Sequence, residues 1–248
     1  MENCKFYETS TGRRIAYHQA QGKGPAVVFL GGFKSDMEGS KALFLEAWAK
    51  AEGRAFLRFD YSGHGQSSED FVEGCIGDWA ADAQEIVSAL TDGPQILVGS
   101  SMGGWISLLL ARLMPAKVHA LVGVAAAPDF TEDSMWEAFD EEQRTRLLQD
   151  GRVELPSEYD DGPYIITRKL IEDGRNQLVL RAPLPLPFTV RLLQGTADED
   201  VDVSVALRLL DHADGDDIRL TLVKDADHRF STPECLAMIV SAIEEVSR

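Results

Sequence analysis

The stretch Gln95-Ile96-Leu97-Val98-Gly99-Ser100-Ser101-Met102-Gly103-Gly104-Trp105 constrains this chain more than any other. Four apolar or small residues run into a tight turn, and Trp105, Ile106, Leu108, Leu109, Leu110 and Leu113 follow with the apolar spacing of a helix. Within it, Gly99-Ser100-Ser101-Met102-Gly103 matches G-x-S-x-G, a strand–turn–helix elbow with Ser101 at its tip. Glycines flank the serine because the turn is sharp, and a Cβ at either position would collide with the neighbouring strand or helix. The bare pattern arises by chance about 0.1 times in a chain of 248 residues, so the flanking strand and helix are what make it informative. A Gly-Ser turn without chemistry is the alternative.

Strand and helix patterns alternate on both sides of the elbow. Cys4 to Gln19 reads as a hairpin broken at Thr9-Ser10-Thr11-Gly12, with His18 expected to face solvent. Pro25 to Leu30 is a continuous apolar run, which suits a parallel strand covered on both faces. Ser40 to Glu52 has helical periodicity, Gly53 stops it, and Ala55 to Asp60 is a strand. A helix is expected from about Cys75 to Leu90, the elbow helix to Met114, and a buried strand over Val118 to Ala126 beginning beside His119. After Pro128 the composition turns acidic and richer in Pro, Gly and Tyr, with helical patterns over about Ser134–Leu148 and Ile165–Gly174 and a stiff extended connector at Ala182–Pro187. Alternation then resumes with a strand over Val190–Gly195, a helix over Val203–Asp211, a strand over Ile218–Val223 and a helix over Pro233–Val246. The expected architecture is one doubly wound α/β domain with a mostly parallel sheet, formed by residues 1–128 and 188–248, with residues 129–187 inserted as a small lid.

A net charge of -17 argues against nucleic acid and anionic membrane surfaces as partners, because both would be repelled. No apolar run approaches membrane-spanning length. Cys4, Cys75 and Cys235 are odd in number and widely spaced, which fits reduced thiols better than a disulfide framework or a zinc site. Met1 to Lys5 lack the basic and apolar regions of a signal peptide, so a cytoplasmic location is expected.

A serine hydroxyl needs a base to take its proton, and the base needs an orienting carboxylate. In an elbow of this kind the order along the chain is Ser, then Asp or Glu, then His. Gly195-Thr196-Ala197-Asp198 follows a strand directly, and Asp227-His228 follows the last strand, so both would sit at the carboxyl edge of the sheet with Ser101. Asp198 is the candidate acid, with Glu199, Asp200 and Asp202 as rivals in the same turn. Asp225 and Asp227 read as solvated turn formers. An oxyanion hole needs backbone N–H groups. One is expected from Met102, and the other from Phe33, whose amide follows the two glycines of Gly31-Gly32-Phe33-Lys34. His64, in Tyr61-Ser62-Gly63-His64-Gly65, is expected to be structural. Trp136, Phe139, Tyr159 and Tyr164 are candidates either to line a pocket or to form the inserted segment's own small core.

Taken together, Gly31-Gly32-Phe33, Asp60-Tyr61-Ser62-Gly63-His64-Gly65-Gln66-Ser67, Gly99-Ser100-Ser101-Met102-Gly103, Gly195-Thr196-Ala197-Asp198 and Asp227-His228 resemble the α/β-hydrolase superfamily over essentially the whole chain. Residues Gly31 to Ala42 and Arg58 to Gly63 resemble a narrower branch, that of palmitoyl-protein thioesterases and acyl-glucuronide esterases with their bacterial relatives. The resemblance implies hydrolysis of thioesters or activated esters through an acyl-serine. Ser101 would be nucleophile, Asp198 orienter, His228 base and acid, and Phe33 and Met102 oxyanion donors, with no metal or organic cofactor. Mitochondrial residence is not carried over. The rival expectations are a short-chain carboxylesterase or C–C bond hydrolase on the same three residues, or a ligand-binding receptor or scaffold that keeps the fold. A haloalkane dehalogenase would need an Asp at the elbow.

Overall fold

A computed structural model describes residues 4–155 and 163–247. The chain opens with a hairpin, β1 (Lys5–Glu8) and β2 (Arg14–Ala20), turned at Gly12. Then come β3 (Lys23–Leu30), α1 (Ser40–Ala51) and β4 (Arg54–Phe59), with Gly53 at φ +64 in the turn after α1. They are followed by α2 (Ile76–Leu90), β5 (Gln95–Ser100), α3 (Met102–Leu113) and β6 (Val118–Val124). These strands, with β10 and β12 introduced below, form an eight-stranded sheet among the described residues, in the order β1-β2-β4-β3-β5-β6-β10-β12. β1, β2 and β4 pair antiparallel, and every other neighbour is parallel.

Side chains alternate across the sheet with period two. Val28, Leu30, Leu57, Leu97 and Leu121 face α2 and α3, while Val27, Phe29, Phe56, Ile96, Val98, Ala120 and Val122 face α1 and the last helix, α7. Burial on both faces explains why these strands read as unbroken apolar runs.

Between β6 and β10 the structure differs from the two helices expected. Residues Thr131–Trp136 form a turn of π-helix. α4 (Glu141–Asp150) starts only at Asp140, whose side chain caps the Gln143 amide while Gln143 returns a bond to the Asp140 amide. It stops at Gly151, φ +78. Ile165 belongs not to a helix but to β8 (Tyr164–Thr167), which pairs antiparallel with β7 (Arg152–Leu155). The run Tyr-Ile-Ile-Thr is β-branched and aromatic, and such residues favour the pleated pairing. α5 (Arg168–Asn176) follows, capped by Thr167. The connector Ala182–Pro187 is extended as expected, and its Leu184–Pro185 forms a short β9 against β11 (Ala213–Asp214). β10 (Thr189–Gly195), α6 (Val203–His212), β12 (Ile218–Val223) and α7 (Pro233–Val246) complete the chain.

Polar contacts close the base of the inserted stretch and tie it to α2 and α3. The Asp129 carboxylate accepts the amides of Val179 and Leu180 at 2.8 and 3.0 Å, joining the place where the chain leaves β6 to the place where it returns. The Trp105 indole donates to Gln177 O at 3.1 Å. Asp173 of α5 accepts the Gly77 amide at 2.7 Å, in the first turn of α2, which has no side-chain cap of its own. His18, expected to face solvent, is instead largely covered on β2, with its Nε2 3.7 Å from Glu38 Oε1. It pairs across the ladder with the buried Arg58, which also binds Glu38.

The elbow is the tightest part of the fold. A Cβ on Gly99 would lie 2.3 Å from Gly103 O, and one on Gly103 would lie 2.0 Å from Leu30 O and 2.6 Å from Gly31 O. Helix α3 therefore touches the backbone at the end of β3, and no side chain can move aside. Gly103→Ala is expected to lower stability by about 2–4 kcal/mol. Urea unfolding followed by circular dichroism should show this as a lower midpoint at unchanged slope.

Candidate active site

Three loops at the carboxyl edge of the sheet bring Ser101, His228 and Asp198 together. Ser101 has φ +53 and ψ −117, conformations that side-chain-bearing residues rarely adopt. The turn is held by its own backbone: the Ser101 amide donates to Val124 O, and the Ser101 carbonyl accepts the Gly104 and Ala127 amides. His228 Nε2 lies 3.2 Å from Ser101 Oγ, and His228 Nδ1 lies 2.9 Å from Asp198 Oδ2. The Asp198 side chain is fully buried, and the imidazole is 22% exposed.

Asp198 takes four N–H donors. The Asp200 and Val201 amides reach Oδ1 at 3.0 and 2.8 Å, and Gln194 Nε2 and His228 Nδ1 reach Oδ2. Burial alone would raise this carboxyl, but the hydrogen bonds from His228, the Val201 amide and Gln194 outweigh it and hold Asp198 below the ordinary carboxylate range. Its rivals are placed otherwise. Asp202 caps α6 through the Ser204 amide at 2.8 Å, and Glu199 and Asp200 are exposed. Asp225 and Asp227 shape the histidine loop: the Asp225 amide donates to Thr196 Oγ1, and Asp227 Oδ1 accepts the Phe230 amide.

The loop after β3 lies against the serine. A Cβ on Gly32 would sit 3.4 Å from Ser101 Cβ. Among the described residues no acceptor takes the amide hydrogens of Phe33 or of Met102, the first residue of α3. The Phe33 ring is held edge-on by Phe71, Phe130 and Trp79, at centroid distances of 4.9, 5.6 and 5.9 Å, and Tyr164 of β8 approaches at 6.3 Å. Trp136 and Phe139 instead pack on each other, with Arg144 and Arg175 over the Trp136 ring. Tyr159 lies outside the described residues.

Sequence reasoning missed two residues. Gln194 is a fully buried polar side chain that directly follows Leu192-Leu193 in β10, and that break in the apolar run is the available signal. Lys41 of α1 donates to Arg229 O, bracing the histidine loop, and burial pulls its ammonium down to about 8 despite the nearby Asp227. No local pattern marks it. For a metal, Asp198, Asp200 and His228 are the group among the described residues whose ligand atoms lie within 4.8 Å of one another. Both Asp198 oxygens are already occupied by N–H donors, and the His228 Nδ1 is committed to Asp198.

His64 is not brought to Ser101. It is 3% exposed, its Nδ1 is 3.1 Å from Ser62 O, and Tyr61, Phe71 and Trp79 surround its ring. Burial depresses its pKa to about 4. The unfolded chain would bind a proton on this imidazole near pH 6.5, and the folded chain would not until about pH 4. Stability on this account is therefore full above the unfolded value and falls by roughly 1.4 kcal/mol per pH unit between the two. Urea unfolding at about pH 7 and pH 5 is expected to show a larger loss for wild type than for His64→Phe.

The α/β-hydrolase fold family model matches residues 25–157. The chain is 36% identical over 233 residues to human mitochondrial palmitoyl-protein thioesterase ABHD10, covering 94% of this chain and 76% of the human protein. Among solved structures, a putative hydrolase from Agrobacterium vitis S4 superposes with a TM-score of 0.94 at 37% identity, covering 100% of both chains. Mouse α/β-hydrolase domain-containing protein 10 superposes with a TM-score of 0.91 at 34% identity, covering 99% of this chain and 98% of that one. With the glycine-flanked elbow and its carboxyl-edge loops, these similarities make the chain a hydrolase of the α/β-hydrolase family, in the branch that holds the ABHD10 proteins.

Proposed function

We propose that this protein is a serine hydrolase that cleaves a carboxylic ester or acyl thioester through an acyl-serine intermediate. The observation that carries the reading is the hydrogen-bonded row Ser101–His228–Asp198, with separations of 3.2 and 2.9 Å. His228 takes the Ser101 proton as Oγ attacks the carbonyl carbon, and the buried Asp198 holds the imidazole in the tautomer with Nε2 free to accept. The developing oxyanion is stabilised by the Phe33 and Met102 amides, with Met102 adding the positive end of α3. His228 then protonates the departing alcohol or thiol and activates water to release the acid.

The thioester half of the reading draws on the relatives, whose name describes palmitoyl-protein thioesterases. Residues 129–187 act as the lid over this site, and Tyr164 brings it against the Phe33 loop. The free thiols of Cys4, Cys75 and Cys235 support a reducing compartment, the cytoplasm in this reading.

A panel of acyl thioesters and p-nitrophenyl esters of increasing chain length, with wild type beside Ser101→Ala, tests this. Turnover that rises with chain length, and falls about 10⁴-fold or more in Ser101→Ala, is the expected result. Turnover confined to short esters would leave the serine mechanism and favour a short-chain carboxylesterase. Equal turnover in the two proteins would overturn the assignment of Ser101, and with no turnover in either the receptor reading would stand.

A further inference from the structure

Gln194 closes the apolar run of β10 with its side chain buried. Its amide nitrogen donates to Asp198 Oδ2 at 2.9 Å and to Val201 O at 3.0 Å, with a longer contact to Gly195 O at 3.4 Å. Its Oε1 is buried and has no partner among the described residues. An orphaned buried acceptor carries a desolvation cost with nothing to offset it, which an apolar residue of the same shape would avoid. Turning the amide over does not help, because Oε1 would then face a carboxylate and a carbonyl, both acceptors. The amide therefore has one orientation, set by Asp198 and Val201.

We propose that Gln194 is a positioning residue of the reaction: it fixes the Asp198 carboxylate against His228 and limits how strongly that carboxylate attracts the imidazolium. The inference rests on the assignment of Ser101, His228 and Asp198 made above. Asp198 Oδ1 is anchored by two amides of its own turn, whereas Oδ2 is shared between His228 Nδ1 and Gln194 Nε2. Gln194 is the donor that occupies Oδ2 alongside the base. Because it also binds Val201 O, one side chain ties the carboxylate to the turn that carries it. A carboxylate that loses an N–H donor keeps more of its negative charge for its other partner. Protonated His228 is then favoured, so the neutral base that Ser101 needs forms only at a higher pH. Among the described residues, charged groups close to the pair include Lys41 from α1, which faces Asp198 as well as Asp227 and Arg229 of the histidine loop, and Asp200 from the Asp198 turn. A substitution at Gln194 leaves them all in place.

The test is the pH dependence of p-nitrophenyl acetate hydrolysis over about pH 5 to 9, together with the rate of Ser101 labelling by a fluorophosphonate. Wild type, Gln194→Met, Gln194→Leu and Ser101→Ala are compared. Gln194→Met keeps the length and removes the donor. Its acid limb in kcat/KM is expected to move up by about 0.5 pH units, with a fall of about 10-fold on the plateau carried by kcat rather than KM. Gln194→Leu removes the donor as well and is expected to move the limb in the same direction. An acid limb that is unmoved or lowered in these variants overturns the inference and leaves Gln194 a packing residue, visible only in the melting temperature. Should Gln194→Met fail to fold by circular dichroism, the limb of Gln194→Leu decides. Labelling and turnover that persist in Ser101→Ala would instead overturn the serine-hydrolase reading, and this inference with it.

Discussion

The contact between the Gly103 backbone and the Leu30 carbonyl governs the architecture of this protein. It forces α3 to begin immediately beside the end of β3, which leaves Ser101 nowhere to sit except in a left-handed turn at φ +53. It also brings the loop after β3 within van der Waals reach of the serine side chain. The same pattern extends along the carboxyl edge. Among the described residues, the non-glycine positions with positive φ are Lys34, Glu69, Ser101, Ala125, Asp129, Asp225 and Phe230. All of them lie on loops that leave the carboxyl ends of β3, β4, β5, β6 and β12. Backbone strain is thus collected on one rim, where a sheet buried on both faces is rigid enough to hold it.

Buried aspartates hold that rim in shape. Asp60 accepts the amides of Met37 and Gln66, joining the loops after β3 and β4. Asp82 accepts the amide and hydroxyl of Ser62 and pairs with Arg13. Asp129 closes the base of the inserted stretch, and Asp198 holds its own turn. Burial raises the carboxyls of Asp60, Asp82 and Asp129, whereas Asp198 is lowered by its hydrogen bonds, His228 foremost. The same chemical device, a carboxylate receiving backbone N–H groups, serves structure in three places and faces an imidazole in one.

The core strands and helices were legible because double burial imposes a period, and the period shows in residues such as Val27-Val28-Phe29-Leu30. The convergence of Ser101, Asp198 and His228 was legible because each follows a strand end, and strand ends meet at one edge. The inserted stretch was harder to read. There, Thr167, Ile166 and Ile165 pair with Arg152, Val153 and Glu154 respectively, a nonlocal choice that local helical spacing does not encode. His18 was misread for a similar reason, since the burial of its strand face depends on Arg58 and Glu38 from elsewhere in the chain. Gln194 and Lys41 act through partners distant in sequence or around a turn, and neither sits in a motif.

The way Asp173 reaches across to the Gly77 amide bears on how such proteins diversify. The first turn of α2 borrows its cap from α5, and the Trp105 indole of α3 likewise finds its partner, the Gln177 carbonyl, across the boundary between the insertion and the rest of the fold. A segment so connected cannot be swapped between relatives as a free cassette. Each replacement must bring its own acceptors to the same orphan donors, or α2 and α3 inherit unsatisfied groups. Variation in the inserted segment is therefore channelled toward residues such as Tyr164 that face the Phe33 loop, and away from those that fasten it down.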